Sequence, residues 1–504
     1  MNYITSPQLL ISADWLLPAE APPIAAGALL VEHGLIKAVL NKSEKEGFLC
    51  GNPEVQHLAT KQSLLTPGLV NLHSHIDYSA AEPLYESAPH DMFDWLYTLV
   101  RESRTWSEAK FRESAHYGAA RLAREGTTFV ADSSYTGYAA EALARVGIKG
   151  LVGLELFGAN EAAADKIFTF WLSKLENLET SANQQLKEAL QSKRVRFTAA
   201  PHAPYTVSPR LFKLALDWSQ ARGLPCLSHL AESEAESAWL GGGSQIIDDY
   251  LRFVLPENPN TSKEEIIKAI HWKESGRSPV EHMKHFGLLA EHLLAAHCLK
   301  TSESDLALLA RENVALALCP RSNERLGNGL PHWRKIAKHP LRFGLGTDSL
   351  ASSPDLCLRG EVRRLAKINA ELAQINAELA QINLEPAQIK MELAQIQTDP
   401  AQFKVDPAQA LAPEQAPALD FDLSKGLDLI TIRAARALGM ERELGSLTKG
   451  KCADLAIFKI EEVECADPFQ ALFKPSSKLD MLFVNGKPVV RKGELIEDGE
   501  PELD

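Results

Sequence analysis

The sequence predicts an α/β protein with a (β/α)8 TIM barrel and a small β-sandwich made by the two ends of the chain. Three observations predict this fold. Eight short apolar runs alternate with longer helical patterns in the middle of the chain, each run turns polar at its end, and both chain ends contain strand-like segments. Apolar strands that alternate with helices are typical of a parallel sheet buried on both faces, and eight such units indicate a barrel.

The two ends of the chain are predicted to be strands. Residues 1–65 include LLISADWLL and GALLVEHGLIKAVL, which mix apolar residues with turn formers at short spacing. Residues 440–504 include ADLAIFKI and KLDMLFVNGKPVVRKGELI, in which Asn485 and Gly486 predict a hairpin turn. These segments flank residues 66–439, the predicted barrel.

Each apolar run of the middle is read as one barrel strand. In order, the runs are TPGLVNLHSH, GTTFVADSS, IKGLVGLELFG, VRFTAAPHAPY, LPCLSHLAES, HLLAAHCLK, VALALCPRSN and LRFGLGTDS. Helical patterns such as WSEAKFRESAHYGAARLAREG and SPRLFKLALDWSQARG lie between them. The polar residues follow the carboxyl ends of the strands, where barrel enzymes place their active sites.

One segment departs from this alternation. Residues 368–409 are six tandem heptapeptides, and their isoleucine and leucine spacing predicts an amphipathic helical stripe. Pro386, Pro400 and Pro407 interrupt the later repeats. The segment is either a partner-binding coiled coil or a repeat expansion inserted into the helix after the eighth strand, and the prolines favour the expansion.

Composition excludes several classes of protein. Hydrophobic residues make up 45% of the 504 residues and charged residues 24%, which is typical of a soluble globular chain and not of a disordered one. The formal net charge of −13 argues against binding to nucleic acid, and no apolar run reaches the roughly 18–20 residues that cross a membrane. Seven scattered cysteines without a CxxC pair, and no signal peptide, predict a cytoplasmic protein.

Four histidines and one aspartate follow the ends of apolar runs. His73 and His75 end the first run as His-Ser-His, and residues i and i+2 of a strand point to the same side. His229 ends the fifth run, His297 the sixth and Asp348 the eighth. Each residue alone could be a hydrogen-bonded core residue, but together they form a ligand set typical of zinc or a similar divalent ion.

These motifs together resemble the amidohydrolase superfamily, in its deaminase and chlorohydrolase branch. The phrases TPGLVNLHSH, APHAPYTVS, HLAESEAE, AHC and GLGTDSLAS carry the resemblance, which covers nearly the whole chain except the heptad repeats. It implies one divalent metal ion, Zn²⁺ with Fe²⁺ or Mn²⁺ as alternatives, held by His73, His75, His229 and Asp348. The fourth run supplies His202 and no lysine, which removes the bridge that two-metal relatives use.

The resemblance also implies how three residues divide the chemistry. A divalent ion lowers the pKa of its bound water toward 7, and the hydroxide attacks a ring carbon that bears an amine. Glu232, three residues after His229, would act as general acid on the neighbouring ring nitrogen. His297 would hold and polarise the hydroxide, and Asp348 would pass the water proton to the leaving ammonia.

The segments MFDWLYTLVRES, LELFG and CPRSN narrow the resemblance to aminodeoxyfutalosine deaminases, which convert a 6-amino purine nucleoside to its 6-oxo form. Deaminases of S-adenosylhomocysteine, methylthioadenosine, guanine or cytosine, and triazine chlorohydrolases, share the same metal pattern. A scaffold or interaction protein that uses the repeats is a further alternative. We expect a small-molecule substrate, no nucleic-acid or membrane partner, and a homodimer as in many relatives.

Six residues are candidates for substrate contact, and five of them have a structural alternative. For Trp95 the alternative is packing of a helix, and for His202 it is bracing of a turn. For Arg321, Asn323 and Ser349 it is shaping of a loop or turn. The glutamate could bind a ribose hydroxyl or another polar group. The candidates are His202, Glu155, Trp95, Arg321, Asn323 and Ser349.

Overall fold

The computed structural model describes residues 8–255, 262–331, 333–382, 421–461 and 467–496. The described strands form four sheets. No helix in these ranges is both long enough and apolar enough to cross a membrane.

The strands and helices are numbered in chain order. The strands are β1 (Leu9–Ser12), β2 (Trp15–Leu16), β3 (Ile24–Ala25), β4 (Ala28–Glu32), β5 (Leu35–Leu40), β6 (Gln56–Ala59), β7 (Ser63–Pro67), β8 (Leu69–Ser74), β9 (Thr127–Ser134), β10 (Lys149–Leu156), β11 (Val195–Pro201), β12 (Cys226–Leu230), β13 (Leu293–His297), β14 (Ala315–Leu318), β15 (Arg342–Leu345), β16 (Leu455–Lys459), β17 (Lys478–Val484), β18 (Lys487–Arg491) and β19 (Glu494–Leu495). The α-helices are α1 (Lys42–Gly51), α2 (Leu84–Ser87), α3 (Met92–Ser103), α4 (Glu108–Arg124), α5 (Ala139–Val146), α6 (Ala164–Thr180), α7 (Gln184–Gln191), α8 (Pro209–Gln220), α9 (Glu234–Gly241), α10 (Gln245–Val254), α11 (Lys263–Lys268), α12 (Pro279–His285), α13 (Glu303–Arg311), α14 (Pro320–Arg325), α15 (Trp333–Lys338), α16 (Leu358–Ile382), α17 (Leu423–Leu429), α18 (Ile432–Ala437) and α19 (Pro468–Phe473). Short 3-10 helices cover Ile76–Ala81 and Glu161–Ala163.

All eight predicted runs of the middle form strands, β8 to β15. They lie in two parallel four-stranded sheets with the orders β8-β9-β10-β11 and β12-β13-β14-β15. Contacts at both edges join the sheets: for example, Ser74 forms a parallel bridge with Asp348, and the amide of His229 donates to the carbonyl of His202 at 2.9 Å. The carboxyl ends of strands from both sheets therefore meet at one place.

The sequence of the strands explains their burial. Every residue of β9 and β10 is buried, as expected for strands covered on both faces. The helices begin at sequence-encoded caps: Ser107 accepts the amide of Lys110 before α4, and Ser208 precedes Pro209 at the first position of α8. The predicted alternation of strands and helices is confirmed.

The terminal segments form the other two sheets. One has the order β5-β4-β1-β6, and the other has the order β19-β18-β17-β16-β7-β2-β3, in which β7 of the N-terminal segment pairs with β16 of the C-terminal segment. Side chains of both sheets, including Ile11, Leu65 and Phe483, share one buried cluster. The predicted hairpin is confirmed: Asn485 and Gly486 join β17 to β18 with φ angles of 50° and 72°, which favour these residue types.

Helix α16 follows the last parallel strand and contains the first two heptapeptides, so a helix is confirmed for residues 368–381. Ile368 is buried. The predicted repeats from residue 383 to 409 lie outside the described residues.

Candidate active site

The structure brings the four histidines and Asp348 together at the carboxyl ends of the parallel strands. The ring of His73 lies 4.8 Å from that of His75, 4.9 Å from that of His229 and 5.2 Å from that of His297, measured between centroids. All of these side chains are nearly inaccessible to solvent. Residues that are far apart in the chain therefore form one compact polar cluster, as the strand ends predict.

Candidate ligand atoms of this cluster face one another, and some of them have no hydrogen-bond partner among the described residues. His229 Nδ1 donates to the carbonyl of His202 at 2.9 Å, so Nε2 of His229 carries a lone pair. This Nε2 atom lies 3.1 Å from Nε2 of His75. His73 Nε2 is buried without a hydrogen-bond partner among the described residues. Asp348 Oδ1 is 3.8 Å from Nε2 of both His73 and His75.

The electrostatics of the cluster suit a cation. Burial lowers the pKa of His73 well below its usual value, and the neighbouring imidazoles lower it further. This ring is therefore neutral, as metal coordination requires. Burial alone would raise the pKa of Asp348, but His75, His297 and the Ser322 hydroxyl hold it below its usual value. A buried carboxylate beside three neutral imidazoles fits one divalent ion such as Zn²⁺.

Asp348 is held by its neighbours in an unusual backbone conformation. Its φ angle is 59°, its Oδ1 accepts the amide of Ser349 at 2.8 Å, and its Oδ2 accepts the hydroxyl of Ser322 at 2.5 Å. His297 has a φ angle of 71°, and its Nδ1 donates to Asn323 Oδ1 at 2.8 Å. This donation leaves His297 Nε2 free to accept a proton from water. Positive φ angles of this kind cost energy and cluster at functional sites.

Glu232 is a buried carboxyl whose environment favours the protonated form. Burial raises its pKa to about 8, although His229 opposes the shift. Asn328 Nδ2 donates to Glu232 Oε1 at 3.2 Å, and His297 Nε2 lies 3.7 Å from the same oxygen. The carboxylate of Glu236 accepts the backbone amides of Ala231 and Glu232, which fixes the turn that presents Glu232.

A cavity of about 740 Å³ opens from this cluster. Four of the six predicted substrate residues line it, namely Trp95, Glu155, His202 and Ser349. Glu155 Oε1 lies 4.0 Å from His75 Nδ1, and burial raises the pKa of Glu155 well above its usual value. The cavity wall is otherwise largely aromatic and aliphatic, which suits a flat organic ligand.

The structure does not bring Arg321 and Asn323 into the cavity. The guanidinium of Arg321 points away, donating to Glu361 Oε1 at 2.6 Å and Asp355 Oδ1 at 2.7 Å. Asn323 contacts His297 behind the cavity wall. Substrate contact by these two residues therefore stays a prediction: protein carboxylates hold the guanidinium of Arg321, whereas Asn323 Nδ2 is buried without a hydrogen-bond partner among the described residues.

Sequence reasoning missed several residues that line or support the site. Arg104, Tyr135 and Phe157 line the cavity, while Asn328 and Glu236 hold Glu232. Glu236 had a signal, because it lies four residues after Glu232 in HLAESEAE. The others lie at a helix end or in loops, where no apolar pattern marks their orientation.

Comparison with models of protein families shows which family the chain belongs to. A model described as the amidohydrolase family matches residues 64–391 and 403–489, which is most of the sequence. The chain belongs to the amidohydrolase family. As an amidohydrolase it is a hydrolase of carbon–nitrogen bonds other than peptide bonds, so the predicted family and enzyme class are confirmed.

Three similar proteins illustrate the breadth of the family. A 5-methylthioadenosine/S-adenosylhomocysteine deaminase of Pyrococcus horikoshii is 30% identical over 362 residues, which cover 70% of this chain and 72% of the relative. An aminodeoxyfutalosine deaminase of Deinococcus radiodurans is 29% identical over 304 residues, covering 60% and 67%. The crystal structure of an adenosine deaminase from Xanthomonas campestris with bound zinc shares the fold with a TM-score of 0.70, at 21% identity over 97% of this chain and 94% of that one.

Proposed function

We propose that this amidohydrolase is a metal-dependent hydrolytic deaminase that removes the exocyclic amine of a 6-aminopurine nucleoside. The observation that carries the proposal is the buried carboxyl of Glu232, which lies 3.7 Å from Nε2 of His297 and lines the same cavity as His75, His229 and Asp348. A proton donor at this place serves a ring nitrogen that becomes basic when the adjacent carbon is attacked.

His73, His75, His229 and Asp348 are the residues proposed to hold one divalent ion, with Zn²⁺ as the first choice and Fe²⁺ or Mn²⁺ as alternatives. When bound, such an ion supplies hydroxide at neutral pH by lowering the pKa of water. The absence of lysine from β11 supports one ion rather than two.

The protein's own groups then move two protons. Glu232 gives its proton to the ring nitrogen beside the attacked carbon, while His297 Nε2 accepts a hydrogen bond from the attacking oxygen and orients it. Asp348 takes a proton from this oxygen and transfers it to the exocyclic amine. The carbon–nitrogen bond breaks, ammonia leaves, and the ring nitrogen keeps the proton from Glu232. Glu232 regains the proton that water loses when it becomes hydroxide, so the product is the 6-oxo purine and water supplies both added hydrogens.

Four lining residues are proposed to hold the nucleoside. Trp95 offers an apolar wall, since its indole nitrogen already donates to the carbonyl of Ala351 at 2.9 Å. His202 and Glu155 offer a donor and an acceptor for ring or ribose atoms, and Ser349 lies beside Asp348. The ring of Phe157, 40% exposed, lies 4.8 Å from that of His202 and adds a stacking surface.

The part of the wall formed by α3 and α10 supports a substrate with a long extension beyond the ribose. Leu99, Val100, Leu251 and Val254 make it apolar, and Arg104 stands at the end of α3. Arg104 is the one arginine or lysine among the described residues that line the cavity. We therefore place 6-amino-6-deoxyfutalosine, whose extension ends in an aromatic carboxylate, first among the candidates.

Methylthioadenosine and S-adenosylhomocysteine form the second candidate class. The similarity to the Pyrococcus horikoshii deaminase supports them, and the same apolar wall fits a thioether. Purified zinc-loaded protein should be tested for ammonia release from these three compounds, adenosine, guanine and cytosine. We expect ammonia release from a 6-aminopurine nucleoside. If protein that binds zinc releases no ammonia from any of these compounds, the deaminase proposal is overturned.

The Arg104→Gln variant distinguishes substrates whose extension ends in a carboxylate from methylthioadenosine, which has none. Arg104 is exposed and donates to the carbonyl of Phe253 at 3.0 Å, so it can offer further N–H groups to an anion. A partly screened contact of this kind is worth about 1 kcal/mol, so we expect KM for an anionic substrate to rise about fivefold. KM for methylthioadenosine should stay constant in the same variant. Equal effects on both substrates would remove Arg104 from substrate recognition.

We also propose that the strands β8 to β15 close into the predicted (β/α)8 barrel and that the terminal sheets form one composite β-sandwich. The contacts between β8 and Asp348 and between His202 and His229 support closure at both seams. The buried cluster shared by the terminal sheets supports the sandwich.

A further inference from the structure

Helix α14 contacts the catalytic cluster with two consecutive side chains. Ser322 donates its hydroxyl to Asp348 Oδ2 at 2.5 Å, and Asn323 accepts the Nδ1 proton of His297 at 2.8 Å. Both residues are fully buried. One short helix thus orients the two groups that the proposed mechanism uses at the attacking oxygen.

The residues on either side of this pair bind a different element. Arg321 donates its backbone amide and its Nε to the carboxylate of Glu361 in α16, at 3.0 and 2.6 Å. Arg364 of α16 returns two hydrogen bonds to the carboxylate of Glu324, at 2.7 and 3.0 Å. Two ion pairs therefore join the helices. Arg364 and Glu324 share two guanidinium–carboxylate hydrogen bonds, a geometry that restricts rotation as well as distance, and a backbone hydrogen bond supports the single one between Arg321 and Glu361.

The close approach of the helices depends on a glycine. A Cβ atom at Gly360 would lie 2.5 Å from Nη1 of Arg321, so any larger residue would displace the guanidinium. Glu361 is fully buried, and Arg321 retains 12% side-chain exposure. Loss of Glu361 would leave Arg321 paired with Asp355 alone, and would remove the contact that ties α14 to α16 at this point.

We propose that α16 positions Asp348 and His297 through α14, and that Arg321 and Glu361 are positioning residues of the active site. The ion pairs fix the rotation of α14, and that rotation sets where Ser322 and Asn323 present their hydrogen-bonding atoms. Because the first heptapeptides continue α16 without a break, the helix that carries the repeats is part of the framework that aligns the catalytic groups.

The Glu361→Gln variant tests the proposal in the full-length, metal-loaded protein. Small misplacements of catalytic groups cost up to about 100-fold in rate, so we expect kcat to fall about 10- to 100-fold while KM and metal content stay constant. Lys367→Gln is the matched control, because Lys367 lies on the same helix with 72% side-chain exposure and its ammonium lies 3.7 Å from Oε1 of Glu371, not beside Glu361 or Arg321. A folded Glu361→Gln protein with the kcat of the wild type would overturn the proposal.

A double-mutant cycle separates positioning from general support of the fold. If α16 acts through the hydroxyl of Ser322, the effects of Glu361→Gln and Ser322→Ala on kcat will be less than additive. Fully additive effects would contradict this route. Gly360→Ala displaces Arg321 without removing a charge, and it replaces Glu361→Gln in the cycle if that variant does not fold.

The kinetic measurements depend on the proposed deaminase function, and a crystallographic measurement does not. In the crystal structure of the Glu361→Gln variant we expect the Ser322–Asp348 and Asn323–His297 hydrogen bonds to lengthen beyond 3.5 Å or to break. Unchanged bonds would overturn the positioning proposal even if no substrate were found, whereas altered bonds with an inactive wild type would count against the deaminase function alone.

Discussion

Replacement of Glu232 by glutamine is expected to reduce kcat for ammonia release about 1,000-fold, because general acid catalysis of this kind contributes roughly 10²- to 10⁴-fold. Glutamine keeps the size of the side chain and an oxygen that can accept the amide of Asn328. It has no acidic proton for the ring nitrogen. Steady-state kinetics with the substrate identified in the panel would measure the loss.

The same variant should retain its metal content and its KM, since Glu232 is not among the proposed ligands. Glu234→Gln provides the matched control two residues away, because the Glu234 side chain is 82% exposed. We expect this control to behave like the wild type. A Glu232→Gln enzyme with kcat within fivefold of the wild type would remove Glu232 from the chemistry and leave His297 or Asp348 as the proton donor.

The position of these groups could be predicted because strand ends are local features of the sequence. His73, His229 and His297 each lie at or next to the end of a short run rich in apolar residues, and the parallel arrangement brings such run ends to the same edge. No long-range information beyond the number and direction of the strands was needed. The predicted clustering therefore follows from the alternation of strands and helices alone.

The cavity wall could not be predicted in the same way. Arg104 ends α3 and Val254 ends α10, and they line the same cavity although 150 residues separate them. Their orientation depends on how α3 packs against α10, where Phe93 and Tyr250 meet with ring centroids 5.6 Å apart. Packing of loops and short helices leaves no periodic signal in the sequence.

Arg321 shows why a functional motif can mislead. It lies in the segment CPRSN, next to residues that do contact the site, and a charged residue at the end of a strand is a reasonable substrate ligand. The sequence does not reveal that Glu361 and Asp355, about 40 residues later, turn its guanidinium away from the cavity. A helix presents consecutive residues on different faces, so Ser322 and Asn323 approach the catalytic groups while Arg321 does not.

Removal of the metal is expected to abolish turnover. Adding Zn²⁺ back to the apoprotein should restore it. Chelation should leave a folded protein, because the ligands are carried by strands packed in the core. An ion that binds only the folded state at a concentration of about 1,000 times its Kd contributes roughly 4 kcal/mol, so the apoprotein should melt at a clearly lower temperature. Metal analysis, ammonia release and thermal unfolding of the same preparation would test all three statements.

His75→Gln should reproduce the effects of chelation without a chelator, with loss of the ion and of turnover that added Zn²⁺ does not restore. His271→Gln is the control, because His271 is exposed and lies away from the cluster. Since β11 offers no lysine to bridge a second ion, we expect one ion per chain. Two ions per chain would contradict the ligand set of His73, His75, His229 and Asp348. Full turnover by protein that holds less than about a tenth of an ion per chain would show that the hydroxide comes from another source.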